Sequence, residues 1–110
     1  MKSNDRIQQI ELMLEEDPKD PFLHYARCLE YTRISPSDGQ PFWENMLLEF
    51  PDYVPLYYQA GTCFAAIGLK ERAMDIWKKG IEQAAKHQDN HALTELRSIL
   101  QNALIDDEDD

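Results

Sequence analysis

Histidine and cysteine are the side chains here that could most readily bind a metal or act as a nucleophile. His87 and His91 are four residues apart, with Asp89 between them, a spacing that can place two imidazoles on one face of a helix. A structural metal site needs four ligands and no third is evident, so a solvated pair beside a turn is the favoured interpretation. Cys28 and Cys63 lie too far apart for a metal motif and are too few for a disulfide framework. We therefore expect reduced thiols and neither metal nor cofactor.

The motifs of common enzyme classes are missing from the sequence. It contains no Gly-rich phosphate loop and no Gly-x-Ser-x-Gly nucleophile motif. The 21 acidic and 11 basic residues give a net charge of −10, which disfavours binding to nucleic acid or anionic membranes. No apolar run approaches a membrane span, and the amino terminus lacks the apolar stretch of a signal peptide. These features predict a non-enzymatic, cytoplasmic protein that binds neither nucleic acid nor membrane.

Helical periodicity runs through the chain. The first segment carries apolar residues at helical spacing, at Ile7, Ile10, Met13 and Leu14. Asp17 and Pro18 end this helix, because a residue that precedes proline is disfavoured in the helical conformation. Asp20 and Pro21 begin the next helix as its N-cap and first helical residue, and this helix continues to about Ile34.

The rest of the chain also predicts helices. Asp38 is expected to cap the third helix and to leave Pro41 in its first turn, and Phe50 ends it. Further helices are expected over about 54–67, from about 70, and from about 89 or 90, with Gly68 ending the first of these three. No segment alternates apolar and polar residues as a half-buried strand does. The prediction is an all-α fold of about six antiparallel helices.

An internal repeat defines the organisation of these helices. Ile10, Trp43 and Trp77 recur at almost equal intervals along the chain. Small residues, Gly39 and Ala73, precede the two tryptophans by four positions. A period of about 34 residues with paired helices is typical of a solenoid, in which each helix pair stacks on its neighbour.

On these residues the chain resembles the tetratricopeptide repeat (TPR) family. Its best copy carries the family's spacing of aromatic and small residues at Tyr57, Ala60, Gly61, Phe64, Ala73 and Trp77, with Gly68 at the turn between the helices. A weaker copy spans about 21–51, and the flanking helices are similar to a truncated repeat and a solubility cap. The resemblance implies a right-handed α-α superhelix, a single TPR-like domain over residues 1–105.

The helices of each pair are expected to cross closely. Small side chains allow two helix backbones to approach, and bulky ones fill the flanks. We expect Cys28 or Gly61 on the first helix to face Gly39 or Ala73 on the second.

The resemblance further implies that the first helix of each pair lines a concave binding surface. By repeat position this surface presents Phe22, Tyr25, Leu29, Thr32 and Arg33 from one pair and Pro55, Tyr58, Thr62 and Ala65 from the next. Exposed aromatic side chains beside small residues suit a peptide or a partner helix. The alternative is that Phe22, Tyr25 and Leu29 are buried against the terminal helices of a short stack. Both interpretations remain open at this point.

The leading functional hypothesis is therefore a protein-interaction module whose groove binds a peptide or an unidentified partner protein. The predicted groove residues are Phe22, Tyr25, Leu29, Arg33, Tyr58 and Thr62. The alternative is a self-associating structural helical-repeat protein, which predicts a homodimer. The clamp with which some TPR domains grip chaperone carboxyl termini is not expected, because the corresponding positions carry neither Lys nor Asn.

The carboxyl terminus is strongly acidic. Residues 106–110 hold five of the 21 acidic side chains, and mutual repulsion predicts a disordered tail. Such a tail provides solubility alone or attracts a basic partner, and composition favours the first role.

Overall fold

The computed structural model describes the backbone of residues 2–109 and the side chains of residues 2–106. This part of the chain folds into six helices: α1 (Ser3–Glu16), α2 (Pro21–Ile34), α3 (Pro36–Glu49), α4 (Pro55–Ala66), α5 (Lys70–Lys86) and α6 (Asn90–Asp109). Residues 2–109 contain no strand, and the predicted all-α fold is confirmed. Within the same residues, no helix combines the length and apolar content needed to cross a bilayer.

Helix boundaries follow the predicted signals with one correction. Asp20 caps α2 as predicted, since its Oδ1 accepts a hydrogen bond of 2.9 Å from the Phe22 amide. The predicted start of α3 is wrong. This helix begins at Pro36, so Asp38 lies in its first turn and Pro41 lies inside the helix. Pro36 explains the earlier start, because proline already has the φ of a first helical residue and needs no amide hydrogen there.

The chain forms two compact units, the first extending through Tyr53 and the second beginning at Val54. In the first unit α2 packs against both α1 and α3. Its buried apolar side chains are Ile7, Leu14, Cys28, Trp43 and Met46. Met13 was predicted to share the apolar face of α1 but is exposed, because it lies at the edge of the stripe that Ile7 and Leu14 define.

Two crossed ion pairs join α1 to α2. Arg6 Nη1 lies 3.5 Å from Glu30 Oε1, and Arg27 Nη1 lies 3.3 Å from Glu11 Oε1. Glu30 is buried, so its pairing with Arg6 offsets part of the cost of removing a carboxylate from water.

In the second unit α5 packs against α4 and α6. Its large buried side chains are Leu56, Tyr57, Phe64, Ile76, Trp77 and Leu96. Gly68, in the turn between α4 and α5, has φ +85°, a backbone conformation that glycine adopts without steric cost. The predicted turn glycine thus ends α4 as expected.

Both helix pairs cross closely, and a side chain of the other helix in the pair lies against Gly61 and against Gly39. A Cβ added at Gly61 would collide with the indole of Trp77, and one added at Gly39 would collide with the side chain of Thr32. That Gly61 also faces Ala73, and Gly39 also faces Cys28, stays a prediction. An aromatic ring or a β-branched side chain occupies the space that each glycine leaves, so the small residue accommodates a side chain as well as a backbone.

The structure differs from the predicted tail in that α6 continues through Asp109, whereas disorder was expected from Asp106. Each residue added to an existing helix gains a backbone hydrogen bond, which favours this extension over the repulsion between carboxylates. Asp110 lies outside the described residues. A single domain ending at 105 stays a prediction.

Candidate functional site

Four of the predicted groove residues share one face of α2. Phe22, Tyr25, Leu29 and Arg33 recur at helical spacing, and we call them the α2 face. Phe22 is 60% exposed and Arg33 is also exposed, whereas Tyr25 and Leu29 are half-buried. The face therefore begins with an accessible aromatic ring and ends with a cation.

Tyr25 owes its partial burial to neighbouring aromatic rings. Its ring centroid lies 5.8 Å from that of Trp43, in an edge-to-face arrangement, and 5.6 Å from that of Tyr53. Burial raises the pKa of the Tyr25 hydroxyl, and the Tyr53 and Cys28 side chains raise it further because their ionised forms would repel a phenolate. Tyr25 thus presents a neutral, amphipathic ring that its neighbours hold in place.

A polar network holds the adjacent side of α2. The Arg27 guanidinium donates to Nδ1 of His24 at 3.1 Å, and Nε2 of His24 donates to the Pro18 carbonyl at 2.7 Å. The guanidinium carbon also lies 5.2 Å from the ring centroid of Phe42, within cation–π range. These contacts link α2 to the preceding turn and to α3, so they hold in place the helix that carries the α2 face.

The second unit contributes a smaller face on α4. Tyr58 is half-buried and Thr62 is exposed one turn later, and we call these two residues the α4 face. The Thr62 hydroxyl donates to the Tyr58 carbonyl at 2.8 Å, and the indole of Trp77 donates to the same carbonyl at 3.3 Å. Tyr57, the neighbour of Tyr58, is fully buried.

Each unit brings its own predicted groove residues onto one helix face. Whether the α2 face and the α4 face serve one binding groove stays a prediction. Thr32, which was also placed on the concave surface, instead joins α2 to α3. Its hydroxyl accepts from the Trp43 indole at 2.8 Å and donates to the Cys28 carbonyl at 2.7 Å. Full burial of Phe22, the alternative left open by the sequence, is excluded by its exposure.

Sequence reasoning missed the contribution of Tyr53 to the surroundings of Tyr25. Tyr53 follows α3 in the segment before α4, where no helical periodicity relates it to Tyr25. Burial raises the pKa of Tyr53, and the nearby Asp20 carboxylate raises it further. Only the presence of an aromatic residue after Pro51-Asp52 hinted at such a contact.

The histidine pair lies on two different elements. His87 caps the carboxyl end of α5, and His91 lies in the first turn of α6, where its Nε2 contacts Glu95. In the part of the chain that the structure describes, no three His, Cys, Asp or Glu side chains are grouped as metal ligands. Cys28 and Cys63 are both buried.

Two solved structures of a tetratricopeptide repeat domain protein from Salinibacter ruber are similar to this chain. The crystal structure is 29% identical, with a TM-score of 0.71, and the match covers 76% of this chain and 94% of that one. The solution NMR structure is 30% identical, with a TM-score of 0.73 and coverages of 78% and 88%. No protein-family model matches the sequence, and no curated protein matches it.

Proposed function

Because the chain belongs to the tetratricopeptide repeat family, we propose that it is a non-enzymatic, cytoplasmic interaction module that binds a peptide or partner protein on the α2 and α4 faces. The resemblance to TPR domains supports a helical-repeat interaction module in general. Helical-repeat proteins bind through surfaces built from successive helices. The two faces occupy equivalent repeat positions, since Tyr25 and Tyr58 are separated by one repeat.

The observation that carries the proposal is the composition of the α2 face. Tyrosine and arginine, here the half-buried Tyr25 and the terminal Arg33, are enriched among the residues that supply most of the energy in protein interfaces. Phenylalanine, here the exposed Phe22, is enriched in interfaces as well. Tyrosine and phenylalanine bring large contact areas at a low entropic cost. The rings around Tyr25 reduce that cost further, because they limit its motion before a partner binds.

The test begins with quantitative affinity capture by the wild-type protein and two surface variants. Phe22→Ala truncates the α2 face, and Thr62→Glu places a charge on the α4 face. Both residues are exposed, so neither change removes a core side chain. We expect both variants to lose the same captured protein. With that protein purified, calorimetry should show about tenfold weaker binding to Phe22→Ala.

Each variant has a matched control. Leu48→Ala removes an apolar side chain that is 82% exposed on α3. Thr94→Glu resembles Thr62→Glu because each hydroxyl donates to the carbonyl four residues earlier. Controls that lose the captured protein equally would contradict the proposal. So would retention by both face variants.

Self-association is the competing outcome of the same experiment. Sedimentation of the wild-type protein and of Phe22→Ala distinguishes the two functions. A stable dimer that Phe22→Ala dissociates would make a second copy the occupant of the α2 face, and the structural alternative would replace the proposal.

A further inference from the structure

A cleft in the second unit contains none of the residues that define the α2 and α4 faces, although Ala65, one turn after Thr62 on α4, contributes to its lining. We call it the α6 cleft, and its walls are formed in part by Ala65, Met74, Trp77, Ile99, Ala103 and Asp106. Its other lining residues include Lys70 and Ala73 on α5. The cleft thus lies among the end of α4, the beginning of α5 and the carboxyl-terminal half of α6.

The size of the cleft suits one large apolar side chain. It encloses about 210 Å³ and is partly open to solvent. An apolar cavity of about 150 Å³ is enough to bind a benzene ring in a protein core. The lining includes Trp77 and the small side chains of Ala65 and Ala103, which leave room for a ring.

The charges around the cleft indicate which residues should flank the bound apolar side chain. Asp106 lies at the α6 wall, and residues 98–110 contain no basic side chain and five acidic ones. The carboxyl end of α6 adds the partial negative charge of its unpaired carbonyls. The opposite wall carries Lys70. A cation is therefore favoured at the α6 side of the cleft and disfavoured at the α5 side.

These observations also argue against a second copy of this chain as the occupant. In a two-fold symmetric dimer through this cleft, two molecules of net charge −10 would bring two acidic α6 ends together. Like charges in contact cost free energy, whereas a basic segment would neutralise them.

We propose that the α6 cleft is a second docking site, beyond the α2 and α4 faces, for a basic peptide segment of a partner protein. An aromatic or branched apolar side chain of the segment enters the cleft against Trp77. Lysine or arginine residues beside it face Asp106. The site rests on Ala65 of α4 and on residues of α5 and α6, none of which the proposed function uses.

The test is an NMR titration of the isotopically labelled full chain with a synthetic peptide. The probe is an acetylated and amidated Arg-Lys-Phe-Lys-Arg. One matched peptide replaces its phenylalanine by serine, and another replaces its basic residues by glutamate. We expect saturable shifts of the Trp77 indole and of the Ala65, Ala73 and Ala103 methyl groups with the probe alone.

Two pairs of variants localise the binding. Ala103→Phe fills the cleft and should abolish the shifts, whereas Gln101→Phe, on an exposed position outside the cleft, should preserve them. Asp106→Lys should weaken binding about fivefold at low salt. Glu82→Lys makes the same change in net charge at an exposed position outside the cleft and should leave binding within about twofold.

Several results would overturn the proposal. These are no binding at millimolar peptide, equal binding of the serine or glutamate peptides, and equal effects of the cleft variants and their controls. Concentration-dependent shifts at the cleft without peptide would assign it to a second copy. The variant Phe22→Ala tests this site separately from the proposed function, because it truncates the α2 face and should leave binding of the peptide to the α6 cleft unchanged. Shifts at the α2 and α4 faces alone would place the peptide there and overturn the α6 cleft.

Discussion

The two helix crossings of the molecule solve the same packing problem in different ways. Trp43 and Trp77 occupy equivalent positions of successive repeats. In the second unit the Trp77 indole lies over Gly61 and donates to the Tyr58 carbonyl of α4. In the first unit the Trp43 indole donates instead to the hydroxyl of Thr32 on α2.

The two units carry their glycine on different helices of the crossing pair. The second unit has glycine on its first helix, at Gly61, and alanine on its second, at Ala73. The equivalent positions of the first unit carry Cys28 and Gly39, so its glycine is on the second helix. The repeat requires room at the crossing, and either helix can provide it. The hydrogen-bond acceptor of the tryptophan indole differs accordingly: it is the Thr32 hydroxyl in the first unit and the Tyr58 carbonyl in the second.

The largest expected effect is at the second crossing. Gly61→Leu should lower the free energy of unfolding by about 3 kcal/mol, because the new side chain starts inside the space of the Trp77 indole. Ala66→Leu, at an exposed position of the same helix, should change stability by less than about 0.5 kcal/mol. Chemical denaturation measures both. Equal stability of the two variants would mean that Gly61 is not at the crossing.

At the first crossing we expect a Gly→Ala substitution to have the opposite effect on stability from the one it has in an ordinary helix. In an ordinary helix interior, Gly→Ala stabilises by up to about 1 kcal/mol. Gly39→Ala should instead destabilise by about 2 kcal/mol, because the added Cβ meets Thr32. Ala73→Gly, at the equivalent position of the second unit, should cost only about 1 kcal/mol through helix propensity. A stabilising Gly39→Ala would break the comparison.

Substitutions of Thr32 and Thr62 test the difference between the hydrogen-bond acceptors of the two tryptophan indoles. Thr32→Val should cost about 1.5 kcal/mol, because it removes the acceptor of the buried Trp43 indole. Thr62→Val removes an exposed hydroxyl while Trp77 keeps the Tyr58 carbonyl, so it should cost less than about 0.5 kcal/mol. Thermal melting compares the variants directly. Similar losses would show that the two indoles are held in the same way.

The smallest effect is a loss of stability at high pH that arises in the first unit. The pKa of Tyr25 is raised above its ordinary value of 10.0 in the folded protein, so the neutral phenol is favoured there. The contribution of the neutral Tyr25 phenol to the free energy of unfolding is fully present below pH 10.0. It is lost as the pH rises through the pKa of Tyr25 in the folded protein. Tyr25→Phe should flatten this part of the stability profile. An unchanged profile would mean that burial of Tyr25 does not contribute.

Local signals in the sequence were sufficient for most of the helices. Asp20 and Pro21 predict the start of α2 because capping and proline geometry depend only on neighbouring residues. The start of α3 could not be settled in this way, since Pro36 and Asp38 offer competing signals within one turn. The fate of residues 106–109 depends on a balance between helix propagation and charge repulsion, which composition alone does not weigh.

The candidate site was predictable to the extent that it follows the repeat. Phe22 and Thr62 are both exposed, but for Phe22 the repeat position had left burial against a terminal helix open as an alternative. Thr32 was misplaced, because its role depends on the reach of the Trp43 indole across the crossing. The α6 cleft was not predicted, since its lining comes from three helices and depends on how they pack.

Calorimetric titration of the protein captured by wild type into the double variant Phe22→Ala/Tyr58→Ala tests the central claim most directly. It truncates the aromatic rings of both faces, and circular dichroism confirms that the helices are retained. The interaction-module account predicts a loss of about 2 kcal/mol or more of binding free energy, with unchanged affinity for Leu48→Ala. A folded double variant that binds as tightly as wild type would contradict it.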